Sequence, residues 1–301
     1  MNVLNNIIVN TIPLLPKFFV KKIAGNYVAG EHPSEVINQA KILNQKGYKV
    51  TIDLLGEHVK ELTETDQVTN TYLNLLDEIN KKSLDCNISV KPSHIGLDIS
   101  NQEFFKNALN LTKKAENLKN FIRLDMESST STDKTISTFN EINDNFKNIG
   151  TVFQAYLRRT FDDISKFNKP INFRLCKGIY NESIDIAYKT KSEIDNNFLK
   201  ITEYAFNNNH FIGLATHDIK LIKKIYDMID KHNVDANNFE FQVLYGVPMH
   251  GWLQKHLKNN FKVRVYLPYG PQWYEYSIRR LKENPSIAMH VAKSIFSNRN
   301  Y

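Results

Sequence analysis

Short β-branched runs recur along this chain at intervals of about 30 residues, and each is followed by a longer stretch whose apolar positions keep helical spacing. Strands are expected over 48–55, 88–93, 121–127, 151–156, 172–177, 211–216, 239–245 and 262–267. Helices are expected over 64–81, 102–118, 133–146, 158–167, 192–207, 219–231, 249–257 and 273–283. Eight such pairs favour an α/β fold of the closed (β/α)8 TIM type over an open doubly wound sheet, which usually has fewer strands and a glycine-rich fingerprint after the first. Neither GxGxxG nor GxxxxGK[ST] occurs. The 301 residues suit one such barrel, which typically needs about 250. The expected plan is a helical extension over 1–47, with a helix at 34–46 that caps the barrel, and a catalytic barrel over 48–301.

Composition excludes little else. Hydrophobic residues at 42% and charged residues at 24% permit a sizeable core and set aside disordered and fibrous classes. The 39 Lys and Arg against 32 Asp and Glu leave a net charge of +7, compatible with anionic partners such as nucleotides or acidic lipid headgroups. These charges are interspersed, with only short clusters such as Lys113-Lys114 and Lys223-Lys224, which argues for a solvated surface and against a nucleic-acid partner. Cys86 and Cys176 lie far apart and form no metal-type spacing, so neither a disulfide framework nor a zinc site is suggested, and a cytoplasmic setting fits. Asn, Pro and Lys interrupt the first 29 residues, and no run approaches the roughly 18 apolar residues of a membrane span.

In barrels of this kind the chemistry gathers at the carboxyl ends of the strands, where the loops converge. Those ends here carry Lys91 and His94, Asp125 and Glu127, Gln154, Arg174 and Lys177, Thr216 and His217, Gln242 and Tyr245, and Arg264 and Tyr266. Singly each is bland, and Lys91 or Asp125 alone is explained as a strand-end charge reaching solvent. Together they are harder to dismiss, because burying several charges near one mouth is costly unless they pair or bind something. In Arg174-Leu-Cys-Lys177-Gly178-Ile-Tyr180, a cation just before a glycine at a strand end suits close approach of backbone to a phosphate or an electron-rich ring, although Lys-Gly is also a common turn. Near the C-terminus, helical spacing puts Tyr276, Arg279, Arg280 and Glu283 on one face. Two adjacent guanidiniums there can clamp a carboxylate, or the face can be solvated, with an Arg279–Glu283 pair contributing a few tenths of a kcal/mol. Spacing alone does not choose between them.

The motifs resemble those of the proline dehydrogenase family, both its monofunctional bacterial form and the proline dehydrogenase domain of bifunctional proline utilisation proteins. The resemblance runs over roughly 48–284. It is carried by Phe173-Arg-Leu-Cys-Lys-Gly-Ile-Tyr180, Ala215-Thr-His-Asp218, Glu240-Phe-Gln-Val-Leu-Tyr-Gly246 and Val263-Arg-Val-Tyr-Leu-Pro-Tyr-Gly270, followed by Tyr276 and Arg279-Arg280. It implies oxidation of L-proline to 1-pyrroline-5-carboxylate by hydride transfer from C5 to N5 of FAD, the first step of proline catabolism. By the same resemblance Arg279 and Arg280 hold the proline carboxylate with Lys91 assisting, and Glu283 completes an ion pair with them or reaches the cofactor. Asp125 stands by Lys91 and the amine end, Leu175, Tyr266 and Tyr276 wall the ring, and Arg174 lies beside flavin N5. Met126, Gln154, Lys177, Gly178, Ile179, Thr216 and His217 contact FAD.

Implied partners are a quinone or other electron acceptor, a downstream pyrroline-5-carboxylate dehydrogenase and transient contact with the inner face of the membrane. Ile179, Asn181 and Asp218 depart from residues common in the family, which bears on how FAD packs. Two other classes compete: a Schiff-base aldolase using Lys91 or Lys177, and a basic nucleic-acid-binding protein.

Overall fold

In the computed structural model, which describes residues 27–274 and 276–278, the strand–helix repetition closes on itself. The order is α1 (Pro33–Gln45), β1 (Lys49–Leu54), α2 (Leu62–Lys81), β2 (Cys86–Val90), a 3₁₀ turn (Pro92–Ile95), α3 (Asn101–Asn117), β3 (Ile122–Leu124), α4 (Ser129–Asn143) and β4 (Ile149–Gln154). It continues through α5 (Thr160–Ser165), β5 (Asn172–Cys176), α6 (Lys191–Asn207), β6 (Phe211–Ala215), α7 (Ile219–His232), β7 (Phe239–Leu244), α8 (Trp252–Lys258) and β8 (Val263–Tyr269). Each strand pairs in parallel with the next, and β8 returns to β1 with Lys49 opposite Arg264 and Leu54 opposite Tyr269. This is the (β/α)8 barrel that the spacing predicts.

Local chemistry sets the boundaries. β2 was expected over 88–93 but stops at Val90, because Pro92 has no N–H to give a ladder and opens a 3₁₀ turn that ends at Gly96 with φ +112°. Strand β3 keeps only three residues of the expected 121–127, since the chain past Leu124 leaves the ladder for the cavity rim. Helix starts follow their caps: Ser100 accepts from the N–H of Glu103, and Thr190 with Glu193 forms a capping box. Asp218 accepts from the N–H groups of Lys220 and Leu221. The helix expected over 273–283 runs past the described residues, of which 273, 274 and 276–278 are helical.

Helix α1 does not cap the barrel as expected. It lies beside β1 and β8, with Val36, Ile37, Ala40 and Leu43 in one core with Val50, Ile52, Val263 and Val265. A helix with one apolar face gains most where it meets apolar surface, about 25 cal/mol per Å² buried, and the outward residues of β1 and β8 provide it. The rest of the expected extension, 1–26, lies outside the described residues.

Strand alternation divides the chemistry. Outward positions are apolar and pack under the helices, as Leu221, Ile222, Ile225 and Ile229 of α7 do. Inward positions, filled by branched apolar side chains in most such barrels, include many polar and charged side chains here, with Val152, Ala215 and Leu244 among the apolar ones. Arg123 donates to the carbonyls of Thr151 at 3.0 Å and Asn172 at 3.2 Å and to Asn172 Oδ1 at 2.6 Å. Thr51 donates to Asn87, and Arg264 donates to Asn87 and Glu240. The interior is therefore a hydrogen-bonded network, and a buried network stands only while its members remain partnered.

Candidate active site

The network opens at the carboxyl ends of the strands into a cavity of about 710 Å³, walled from all eight strands or the residues just past them. Asp125, just past β3, is its hub. One carboxylate oxygen accepts from Arg174 Nη1 at 2.7 Å and Ser89 Oγ at 2.6 Å, and the other accepts from the Tyr266 hydroxyl at 3.0 Å. Arg174 lies over the Tyr266 ring, 5.0 Å from its centroid, and donates from Nε to Gln242 Oε1 at 2.6 Å. Its third nitrogen, Nη2, is buried with no hydrogen-bond partner among the described residues. Burial, with the charges of Asp125 and Asp53, holds the Tyr266 phenol well above its ordinary range.

Lys91 makes a second polar corner. Its ammonium donates to both oxygens of Asp53, at 3.1 and 2.9 Å. Burial alone would depress its pKa, but the carboxylates of Asp53 and Asp125 override it and hold the amine protonated. A Schiff-base lysine must be neutral, so this pairing counts against the aldolase reading of Lys91. Lys177 is likewise paired, with Asp195 at 2.5 Å and Asp218 at 2.8 Å. Glu127 accepts from the N–H and Oγ of Ser93 at 2.7 and 2.6 Å, and burial raises its carboxyl despite those bonds.

A third wall carries Gln154, whose amide donates to the Glu127 carbonyl at 2.8 Å, and Thr216, whose hydroxyl accepts from the Asp218 N–H at 3.1 Å. His217 Nε2 accepts from the Leu244 N–H at 3.0 Å, which puts the proton of a neutral ring on Nδ1. At Gly178 φ is +107°, and a Cβ would stand 2.0 Å from the Tyr156 ring, so this turn admits glycine alone.

The structure brings Lys91, Asp125, Met126, Gln154, Arg174, Lys177, Gly178, Ile179, Thr216, His217, Tyr266 and Tyr276 to the one cavity. Leu175 is corrected: it is fully buried in the core outside the barrel, because its neighbours Arg174 and Cys176 take the inward positions of β5. His94 is buried beside Gly56 and does not line the cavity. Arg264 sits deep among the inward side chains rather than at the mouth. Arg279, Arg280 and Glu283, the expected carboxylate clamp, lie outside the described residues.

Sequence reasoning missed Asp53, Ser89 and Tyr27. Asp53 was readable: it is the one acidic residue in β1, and alternation from Val50 and Ile52 turns it inward with Thr51. Tyr27 falls in a segment read only as an extension, yet it lines the cavity.

The family model described as proline dehydrogenase matches residues 36–293. Proline dehydrogenase 2 of Bacillus subtilis strain 168 is 35% identical over 264 residues, 87% of each chain. Proline dehydrogenase of Deinococcus radiodurans is 31% identical over 281 residues, 91% of this chain and 90% of its own. Among solved structures, proline utilization A from Bdellovibrio bacteriovorus, inactivated by N-propargylglycine, superposes with a TM-score of 0.80 at 25% identity. That match covers 88% of this chain and 33% of the longer one, so this chain spans about a third of that protein.

Proposed function

Because the chain belongs to the proline dehydrogenase family, we propose that its cavity binds FAD and oxidises L-proline to 1-pyrroline-5-carboxylate. The observation that carries this reading is the pairing, in one cavity, of a protonated Lys91 with Arg174, a buried guanidinium that keeps one unpartnered nitrogen. These residues suit a carboxylate at one end and an electron-rich ring at the other.

The residues present fit the cofactor. The cavity has the size of a cofactor site, Arg174 Nη2 is an orphaned buried donor, and Gly178 keeps backbone close to the wall. Arg174, Met126, Gln154, Lys177, Gly178, Ile179, Thr216 and His217 would hold FAD, with Ile179, 62% exposed, at the outer edge. When bound, FAD accepts a hydride at its N5.

The protein's own residues supply orientation and electrostatics. Lys91 binds the substrate carboxylate, joined by Arg279 and Arg280, and Tyr266 and Tyr276 wall the ring. Arg174 stabilises negative charge that develops on the acceptor, and Asp125 keeps both Arg174 and Tyr266 in place. The proline amine must arrive neutral, so the substrate loses its proton to solvent before hydride leaves C5. Onward passage of electrons to a quinone, and of product to a pyrroline-5-carboxylate dehydrogenase, rests on the family resemblance, and a cytoplasmic setting on the use of the two cysteines. No helix among the described residues is long and apolar enough to cross a membrane.

The test is chemical identification of both bound group and product. Denaturation should release FAD into the supernatant, and proline turnover should give a product that forms a coloured adduct with ortho-aminobenzaldehyde. FMN or no flavin from folded protein, or no adduct, would count against the reading.

A further inference from the structure

The orientation of Arg174 is set from beneath, by residues that no step above uses. Glu240, at the inward position of β7 two residues below Gln242, is 2% exposed, and Gln242 is 4% exposed. One oxygen of Glu240 accepts from Arg264 Nε at 2.6 Å and from Gln242 Nε2 at 2.7 Å. Burial opposes ionisation of Glu240, and the Arg264 guanidinium overrides it and holds the carboxyl below its ordinary range. An ionised carboxylate only accepts hydrogen bonds, so Gln242 must turn its NH₂ down toward Glu240 and its carbonyl oxygen up. That oxygen is the acceptor for Arg174 Nε at 2.6 Å. A reversed amide would set NH₂ against guanidinium and oxygen against carboxylate.

Gly213 gives the Gln242 side chain the room it occupies. Gly213 of β6 faces Gln242, and a Cβ there would stand 2.3 Å from Gln242 Nε2 and 2.8 Å from its Cδ. Here glycine is needed for room, since Gly213 is not among the positive-φ positions. With Nε fixed by Gln242 and Nη1 by Asp125, the guanidinium is held in its own plane from two directions, and Nη2 is the nitrogen left over.

We propose that Gln242 is a positioning residue for the oxidation, its amide oriented by Glu240 and admitted by Gly213, so that Arg174 is held where it stabilises the reduced cofactor. This rests on the functional reading given above. Gln242→Met keeps length and removes the acceptor, while Gly213→Ala adds one methyl whose nearest neighbours are at the far end of the Gln242 side chain.

In flavin-loaded protein, either change should lower kcat for proline about 10-fold or more while KM moves less than about threefold, because the lost interaction acts in the transition state. The flavin midpoint potential, titrated chemically without proline, should become more negative by about 30 mV, the equivalent of tenfold for a two-electron couple. A purely structural role would lower the melting temperature and leave both readouts in place, and that result overturns the proposal. If Gln242→Met does not fold, Gly213→Ala carries the test. A parent that holds flavin but is not bleached by proline sinks the functional reading alone, because the potential still decides the role of Gln242. A parent without flavin overturns both.

Discussion

Replacing Asp53 with Asn removes the counter-charge of Lys91 and keeps the shape of the side chain. Lys91 donates to both carboxylate oxygens, at 3.1 and 2.9 Å, and the two side chains are 14% and 2% exposed, so little water can take the place of Asp53. Breaking a buried pair on one side costs about 3–5 kcal/mol, since a buried charge is left uncompensated. Part of that cost is relieved if Lys91 gives up its proton, which burial favours once Asp53 no longer opposes it.

Two consequences follow for Asp53→Asn. Its urea midpoint should fall clearly at neutral pH, and kcat/KM for proline should fall about 30-fold or more, because a neutral amine cannot pair with the substrate carboxylate. Burial is the largest single influence on Lys91 and opposes its charge, so loss of Asp53 is expected to lower its pKa even with Asp125 still near, and the gap between variant and parent kcat/KM should narrow as pH is lowered and the amine recovers its proton. Asp53→Asn combined with Lys91→Met removes both charges and should regain most of the stability without regaining activity. Dye-linked initial rates across pH, with urea unfolding of all three proteins, make the test. An Asp53→Asn enzyme that unfolds with the parent and keeps a constant rate ratio across pH would refute the pairing argument.

Gly178→Ala should cost about 1–3 kcal/mol, since its φ of +107° strains any side chain and the methyl meets the Tyr156 ring; the variant should shed flavin on gel filtration, and full retention would contradict the role of this turn. Arg279→Met should lower kcat/KM for proline about 30-fold or more with flavin content unchanged; parental turnover would remove Arg279 from the proposed site. Burial pushes His256 down to about 4 and His94 down to about 3, against about 6.5 when unfolded, so their neutral forms hold full stability above pH 6.5 and lose it as pH falls toward 4. His256→Gln, which loses a ring stacked 3.8 Å from Phe241, should be less stable at pH 7 but show a shallower fall of urea midpoint down to pH 5; an unchanged slope would remove His256 as a cause.

Alternation and spacing made the barrel legible, because the strands are short runs rich in β-branched, aromatic or other apolar residues and the long helices have an apolar face. Boundaries were lost where one residue acts locally, as Pro92 does in ending β2. Helix α1 was expected at nearly its observed bounds and misplaced in space, because periodicity reports which face is apolar and not what that face meets. In the site, charged residues at strand ends were visible, while Leu175 shows the limit of carrying a motif over whole: Arg174 turns inward, so its neighbour must turn out. Asp53 and Glu240 went unassigned for another reason. Their partners, Lys91 and Arg264, are 38 and 24 positions away in sequence, and only the lateral pairing of β1 with β2 and of β7 with β8 brings them together.

The anaerobic absorbance spectrum of the purified protein before and after addition of L-proline tests the central claim most directly. A cavity that binds FAD and presents proline to it predicts a yellow protein whose flavin band bleaches in proportion to the proline added, and recovers when an electron acceptor is admitted. A folded protein that is colourless, or a yellow one whose spectrum proline leaves unchanged, would contradict it.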